Sequence, residues 1–125
     1  MSRTVTASCH CGAIVLEAAL TADPGSAARC TCSFCARRQA ANVSARAASV
    51  RVIRGAGNLS LYTWGTHRAK HWFCRTCGIY THHQRFSDPS ECGINVGCIE
   101  GVHPWELEPF AWNDGHSLLP GEDED

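Results

Sequence analysis

The chain has 125 residues, 44% of them hydrophobic, with a formal charge of −1 and nine cysteines. That length fits one domain, able to bury roughly two-thirds of the surface its unfolded chain exposes. No run approaches the roughly 20 apolar residues of a membrane span, and the opening MSRTVTASCH lacks the apolar core of a signal peptide. No membrane partner is therefore expected. A reducing cytoplasm is, and there clustered cysteines favour metal binding or catalysis over disulfides.

In chain order, TVTAS and AIVLEAAL read as strands flanking the first cysteine pair, and TADPGSAA follows as a loop. Ser33 to Ala40 is the one helical stretch, with Ser33 as its expected N-cap and Ala, Arg and Gln behind it. VRVIR, LSLYTW, AKHWF, IYTHH and GINVGCI follow as short strands rich in β-branched and aromatic residues. Gly55, Gly57, Asn58, Gly65, Pro89 and Gly93 punctuate them. HPWELEPFAW is compatible with a turn and a strand. The expectation is a mainly β domain with one short helix over residues 1–120, closed by the acidic tail GEDED at 121–125.

Charge is unevenly spread. From Pro24 to Ser87 there are ten basic residues and no acid, whereas from Asp88 onward there are ten acids and no base. Either folding brings the halves together and offsets them, or the basic segment serves an anionic partner, a small carboxylate-bearing substrate or nucleic acid.

The cysteines fall into clusters. CHCG at 9–12 and CRTCG at 74–78 have the form of metal knuckles, two thiolates followed by a glycine that relieves a tight backbone. Together Cys9, Cys11, Cys74 and Cys77 would complete a closed tetrahedral site and tie distant strands together. CTCSFC differs, because Cys30, Cys32 and Cys35 come from one short segment without a fourth sulfur. Three protein ligands and an open position suit a catalytic zinc; a second closed site, completed by Cys92, Cys98 or a histidine, is the alternative. Spacing alone leaves open which pair joins which triplet.

CHCGAIVLE, CTCSFCARR and YTWGTHRAKHWFCRTCG resemble the glutathione-dependent formaldehyde-activating enzyme family, the last stretch especially its centromere protein V branch. The likeness runs from about Cys9 to Trp112. It implies a Mss4-like zinc-binding fold of several short antiparallel sheets, and up to two zinc ions per chain. Cys9, Cys11, Cys74 and Cys77 would hold a structural zinc, and Cys30, Cys32 and Cys35 a second, catalytic one. It also implies a carbon–sulfur lyase or synthase that condenses formaldehyde with a small thiol such as glutathione. Arg37 and Arg38 are then candidates for the carboxylates of that thiol. The alternative is a non-catalytic, zinc-stabilised module for nucleic acid or a protein partner, and the lack of a recognisable nucleic-acid motif counts against it. His67, His71, His82 and His83 are expected to face solvent or make hydrogen bonds, with one of them able to serve as a ligand or general base. Cys92 and Cys98 are expected as buried thiols, Cys98 with a place at the pocket, and the four tryptophans as packing residues.

Overall fold

The computed structural model describes residues 3–114, so the tail expected at 121–125 lies outside the described residues. The elements are β1 (Arg3–Ser8), β2 (Val15–Leu20), β3 (Ala28–Cys30), α1 (Ser33–Arg38), β4 (Asn42–Arg46), β5 (Arg51–Arg54), β6 (Leu59–Tyr62), β7 (Lys70–Cys74), β8 (Tyr80–Gln84), β9 (Glu91–Asn95) and β10 (Ala111–Asn113). The architecture is mainly β with one short helix, as expected. The strands pair in the order β1-β2-β4-β9-β8-β7-β6, with β5 added to β2 and β3 linking β4 to β10. The several short antiparallel sheets expected are joined through shared strands into one branched sheet. Among the described residues only β3 and β10 run parallel.

Three strands were not anticipated or were left undecided. The segment NVSAR is short and half polar, yet as β4 it lies mid-sheet, with Val43 opposite Ile94 and Ala45 opposite Cys92. β3 and β10 are three-residue strands that exist through each other. The GINVGCI strand stops at Asn95, whose side chain accepts from the Gly97 N–H and turns Val96–Cys98 into a 3-10 segment. HPWELEPFAW resolves into a 3-10 turn at Pro104–Glu106 and then β10.

The helix also differs from expectation at both ends. Its N-cap is Cys32, not Ser33: the Cys32 sulfur accepts the Cys35 N–H at 3.3 Å, doing what a serine oxygen does at most helix starts. It ends at Arg38 because Gln39 takes a left-handed conformation with φ of 55°.

The sheet separates two environments. On one face Val5, Ala7, Leu16, Ala18, Leu20, Val43, Ala45 and Ile94 alternate inward along their strands and, with Val96 just past β9, form the main core. Much of that core is alanine, which buries little area, so cross-links elsewhere have a larger share of stability to supply. The other face, beneath α1, is polar. Register aligns His71 of β7, His83 of β8, Gly93 of β9 and Ser44 of β4 across it. Tyr80 to His83 are buried, which a strand covered on both faces requires.

Candidate metal centres and the adjoining cavity

The sulfurs of Cys9, Cys11, Cys74 and Cys77 all lie within 4.8 Å of one another. Cys9–Cys11 and Cys11–Cys74 are each 3.7 Å apart. Metal–sulfur bonds of about 2.3 Å at tetrahedral angles place sulfurs about 3.8 Å apart, so spacing and donor type fit a four-thiolate ion. The knuckles are built locally. Gly12 and Gly78 take positive φ of 80° and 78°, and the turns between aim N–H groups at sulfur: Ile14 to Cys9 at 3.3 Å, Thr76 and Cys77 to Cys74 at 3.3 and 3.4 Å. These donors hold the Cys74 thiol down to about 6, with the Cys77 N–H the largest cause. Beneath them lies a small apolar cluster around Ile14.

A loop from the strand before β6 braces both knuckles, a contact that spacing did not reveal. Asn58 donates to the Cys74 sulfur at 3.2 Å and Arg54 to the Gly12 carbonyl at 2.8 Å. Gly55, at φ of 85°, passes so close that an added Cβ would sit 1.9 Å from the Ala13 carbonyl oxygen.

The second cluster is more compact in sequence. Cys30 closes β3, Cys32 caps α1 and Cys35 lies in its first turn, with all three sulfurs within 4.8 Å. Cys32 and Cys35 are buried and Cys30 is half-buried. Among the described residues no fourth cysteine, histidine or carboxylate joins them. Cys92 and Cys98, considered as closing ligands, are buried thiols elsewhere; Cys98 donates to the Tyr80 carbonyl. Without a cation three sulfurs this close cannot all be ionised. The Cys30 thiol is held far below its usual range because it accepts from the Cys32 and Cys35 thiols, whose own values are pushed up by that sharing. A cation among them would let all three ionise, so this donor set also could hold a metal ion.

Arg38 connects the cluster to the polar face of the sheet. Its Nη2 donates to the Cys35 sulfur at 3.5 Å and its Nη1 to His71 Nδ1 at 3.3 Å. Its guanidinium carbon lies 3.7 Å from the Tyr80 ring centre and 4.5 Å from that of Phe34. A guanidinium can only donate, so His71 Nδ1 accepts and neutral His71 carries its proton on Nε2. Behind it His83 stacks on His71 at 5.1 Å, and its Nδ1 meets the Tyr80 hydroxyl at 2.6 Å. Burial and then the Arg38 charge hold His83 neutral. On the other side of Arg38 opens a cavity of about 310 Å³, walled by Phe34, Tyr62, Trp72, Phe73 and Tyr80 with Arg38 and His71 at its polar end.

With this geometry in hand, comparison with known proteins is specific. Residues 4–113 match the family model described as glutathione-dependent formaldehyde-activating enzyme. The chain belongs to that family. Among solved structures it is similar to a crystal structure of a Rhodobacter sphaeroides protein from a structural-genomics programme, with 55% identity and a TM-score of 0.84. That likeness covers 86% of this chain and 99% of the other.

The family resemblance drew attention to two arginines, and they part company. Arg37 is exposed and folds back to donate to the Ser33 carbonyl at 2.7 Å, whereas Arg38 turns inward. The histidines make hydrogen bonds, as expected, but three of them do so in the interior: His71, His82 and His83 are buried. His82 stacks on Trp72 and His67 stays exposed. Their burial comes from α1 and the neighbouring strands, which no period along β8 encodes.

Proposed function

We propose that the protein is a zinc-dependent carbon–sulfur lyase and synthase, condensing a glutathione-like thiol with formaldehyde or a related small electrophile and reversing that step. The observation that carries this reading is the three-sulfur cluster, incomplete among the described residues, that Arg38 joins to a cavity. In this reading Cys9, Cys11, Cys74 and Cys77 hold a structural zinc, and Cys30, Cys32 and Cys35 hold a second one with a position open to the substrate thiol. When bound there, zinc supplies Lewis acidity that favours the thiolate form of that thiol.

The chain's own groups have defined tasks. Arg38 neutralises part of the charge on Cys35 and, through His71 Nδ1, keeps the His71 proton on Nε2. His71, which borders the cavity, is then a hydrogen-bond donor suited to the oxygen of an aldehyde. The thiol sulfur adds to the carbonyl carbon, a carbon–sulfur bond forms, and the proton lost by the thiol ends on the new hydroxyl. In reverse the same proton leaves as the bond breaks. The carboxylates of the thiol are assigned to Arg37, which is exposed on the helix, whereas Arg38 is turned inward to His71 and Cys35.

An enzyme is favoured over a nucleic-acid module by how the basic segment is used. Arg29 and Arg85 pair with Glu108 and Glu91 from the acidic half, and Arg38 is turned inward. All nine cysteines are free thiols, which suits the reducing cytoplasm as a compartment. The test is exchange spectroscopy on formaldehyde, glutathione and their adduct. Zinc-loaded protein should speed interconversion without moving the equilibrium. An exchange rate equal to the spontaneous background would refute the reading.

A further inference from the structure

The cavity is far larger than formaldehyde requires. A water molecule takes about 30 Å³ of liquid volume, so a carbonyl with two heavy atoms leaves most of the space unfilled. The cavity measures about 310 Å³, whereas cavities of about 150 Å³ already admit a benzene ring. Its lining is largely aromatic, from Phe34, Tyr62, Phe73 and Tyr80 with Trp72 beside them, and the Phe34 ring packs on those of Tyr62 and His71. The γ-glutamyl and glycyl ends of glutathione do not suit it, since each carries a carboxylate. Among the described residues Arg38 is the only cation in the lining, and it is turned to His71 and Cys35, to each of which it donates. An aromatic cage can also hold an organic cation, but here the Arg38 charge already lies over Tyr80 and would repel one. The occupant left by these limits is neutral and apolar.

We propose that this cavity is a subsite for an aryl group carried by the electrophile, so that the substrate class is an aromatic aldehyde and its hemithioacetal. This rests on the reading of the protein as a thiol–aldehyde enzyme. In the forward step the thiol sulfur bonds to the aldehyde carbon, the carbonyl electron pair moves to oxygen, and the thiol proton is transferred to that oxygen. The aryl ring stays bound in the cavity, with its aldehyde carbon directed to the Arg38 and Cys35 end. Neither oxidant nor reductant is needed.

Two measurements on zinc-loaded protein separate the subsite from the activity. The first is an NMR titration with benzyl alcohol, read at the side-chain signals of Phe34 and Tyr62. The second is catalysed hemithioacetal exchange of benzaldehyde against formaldehyde with glutathione, each divided by its own background. Benzyl alcohol should shift both residues, and benzaldehyde should exceed formaldehyde in kcat/KM by more than about tenfold, as burial of a phenyl-sized group implies. Tyr62→Ala, at a half-exposed position on the edge strand, should weaken benzyl alcohol binding and lower that preference; Phe73→Leu checks the opposite wall with less loss of bulk. Accelerated formaldehyde exchange with no shift at Phe34 or Tyr62 would overturn the aryl subsite and leave the proposed activity standing. Shifts at both residues with neither aldehyde accelerated would keep the subsite and remove the activity.

Discussion

Replacing Arg38 by methionine separates what this side chain does for the fold from what it does for the second cluster. Methionine preserves an apolar stem between Tyr80 and Phe34 but removes both donors, to His71 and to Cys35. For stability two effects oppose. His71, 1% exposed, loses the donor to its Nδ1, a cost of about 1–3 kcal/mol. In exchange the protein no longer desolvates a guanidinium whose Nε makes no hydrogen bond among the described residues, a saving of comparable size. The net change should be about 1 kcal/mol, or a melting shift of about 5 °C at most. For the metal, relief of the repulsion between guanidinium and ion offsets only part of the loss of the hydrogen bond to Cys35. A hydrogen bond to a ligating sulfur typically contributes 10–100-fold, so affinity for the second ion should fall by about that factor. Arg38→Lys should fall between, since an ammonium keeps the charge but cannot bridge His71 and Cys35 in one plane. Competition with a graded series of chelators measures the affinity, and circular dichroism follows melting. A second-site affinity within about twofold of the parent protein would refute this role for Arg38.

Four further outcomes are expected. Cys77→Ser should unfold the protein or leave it insoluble because it opens the ion that ties the first strands to the middle of the sheet, whereas Cys32→Ser should leave a folded domain without its second metal; the reverse ranking in melting curves would show the roles are exchanged. Gly55→Ala should cost roughly 2–5 kcal/mol in a urea titration, combining its positive φ with the collision against the Ala13 carbonyl, and a loss under about 1 kcal/mol would mean this loop does not brace the knuckle. Burial pushes His82 down to about 4, so the folded protein keeps it neutral where the unfolded chain, near 6.5, takes up a proton. Its contribution is complete above about pH 6.5 and is lost as pH falls towards 4, about 3 kcal/mol in all, with His83 acting in the same sense. His82→Phe should therefore flatten the fall in stability between those pH values, and an unchanged slope would contradict it. S-methylglutathione should bind far more weakly than glutathione, because it keeps the carboxylates for Arg37 but lacks the sulfur donor; equal binding by calorimetry would place recognition away from the metal.

The cysteine knuckles were legible in the sequence because their requirements are local. Cys9-x-Cys11-Gly12 and Cys74-x-x-Cys77-Gly78 specify sulfurs, N–H donors and a positive-φ exit within five residues, and Gly12 and Gly78 have that φ. That Cys30, Cys32 and Cys35 come together as a group of three was legible for the same reason, as was the mainly β character of the chain. What escaped depends on register and layering. β4 is identified by its partners and not by its composition, since NVSAR carries only two inward apolar residues. The Arg38–His71 contact joins residues 33 apart, and nothing in CARR distinguishes an arginine that turns inward from the exposed Arg37 beside it. Cys32 as an N-cap was missed because a metal-ligand motif and a helix start occupy the same residues, and serine is the commoner cap.

The central claim is that the second cluster holds a metal ion open to a thiol. Cadmium-113 NMR of protein in which cadmium replaces zinc tests it directly, since the shift reports how many sulfurs surround each ion. Two signals should appear, one of a four-sulfur site and one of a site with fewer sulfurs. On addition of glutathione the first should stay in place and the second should move to the position of a four-sulfur site, while S-methylglutathione should leave both unchanged. A single signal, or two signals that glutathione does not move, would contradict the account.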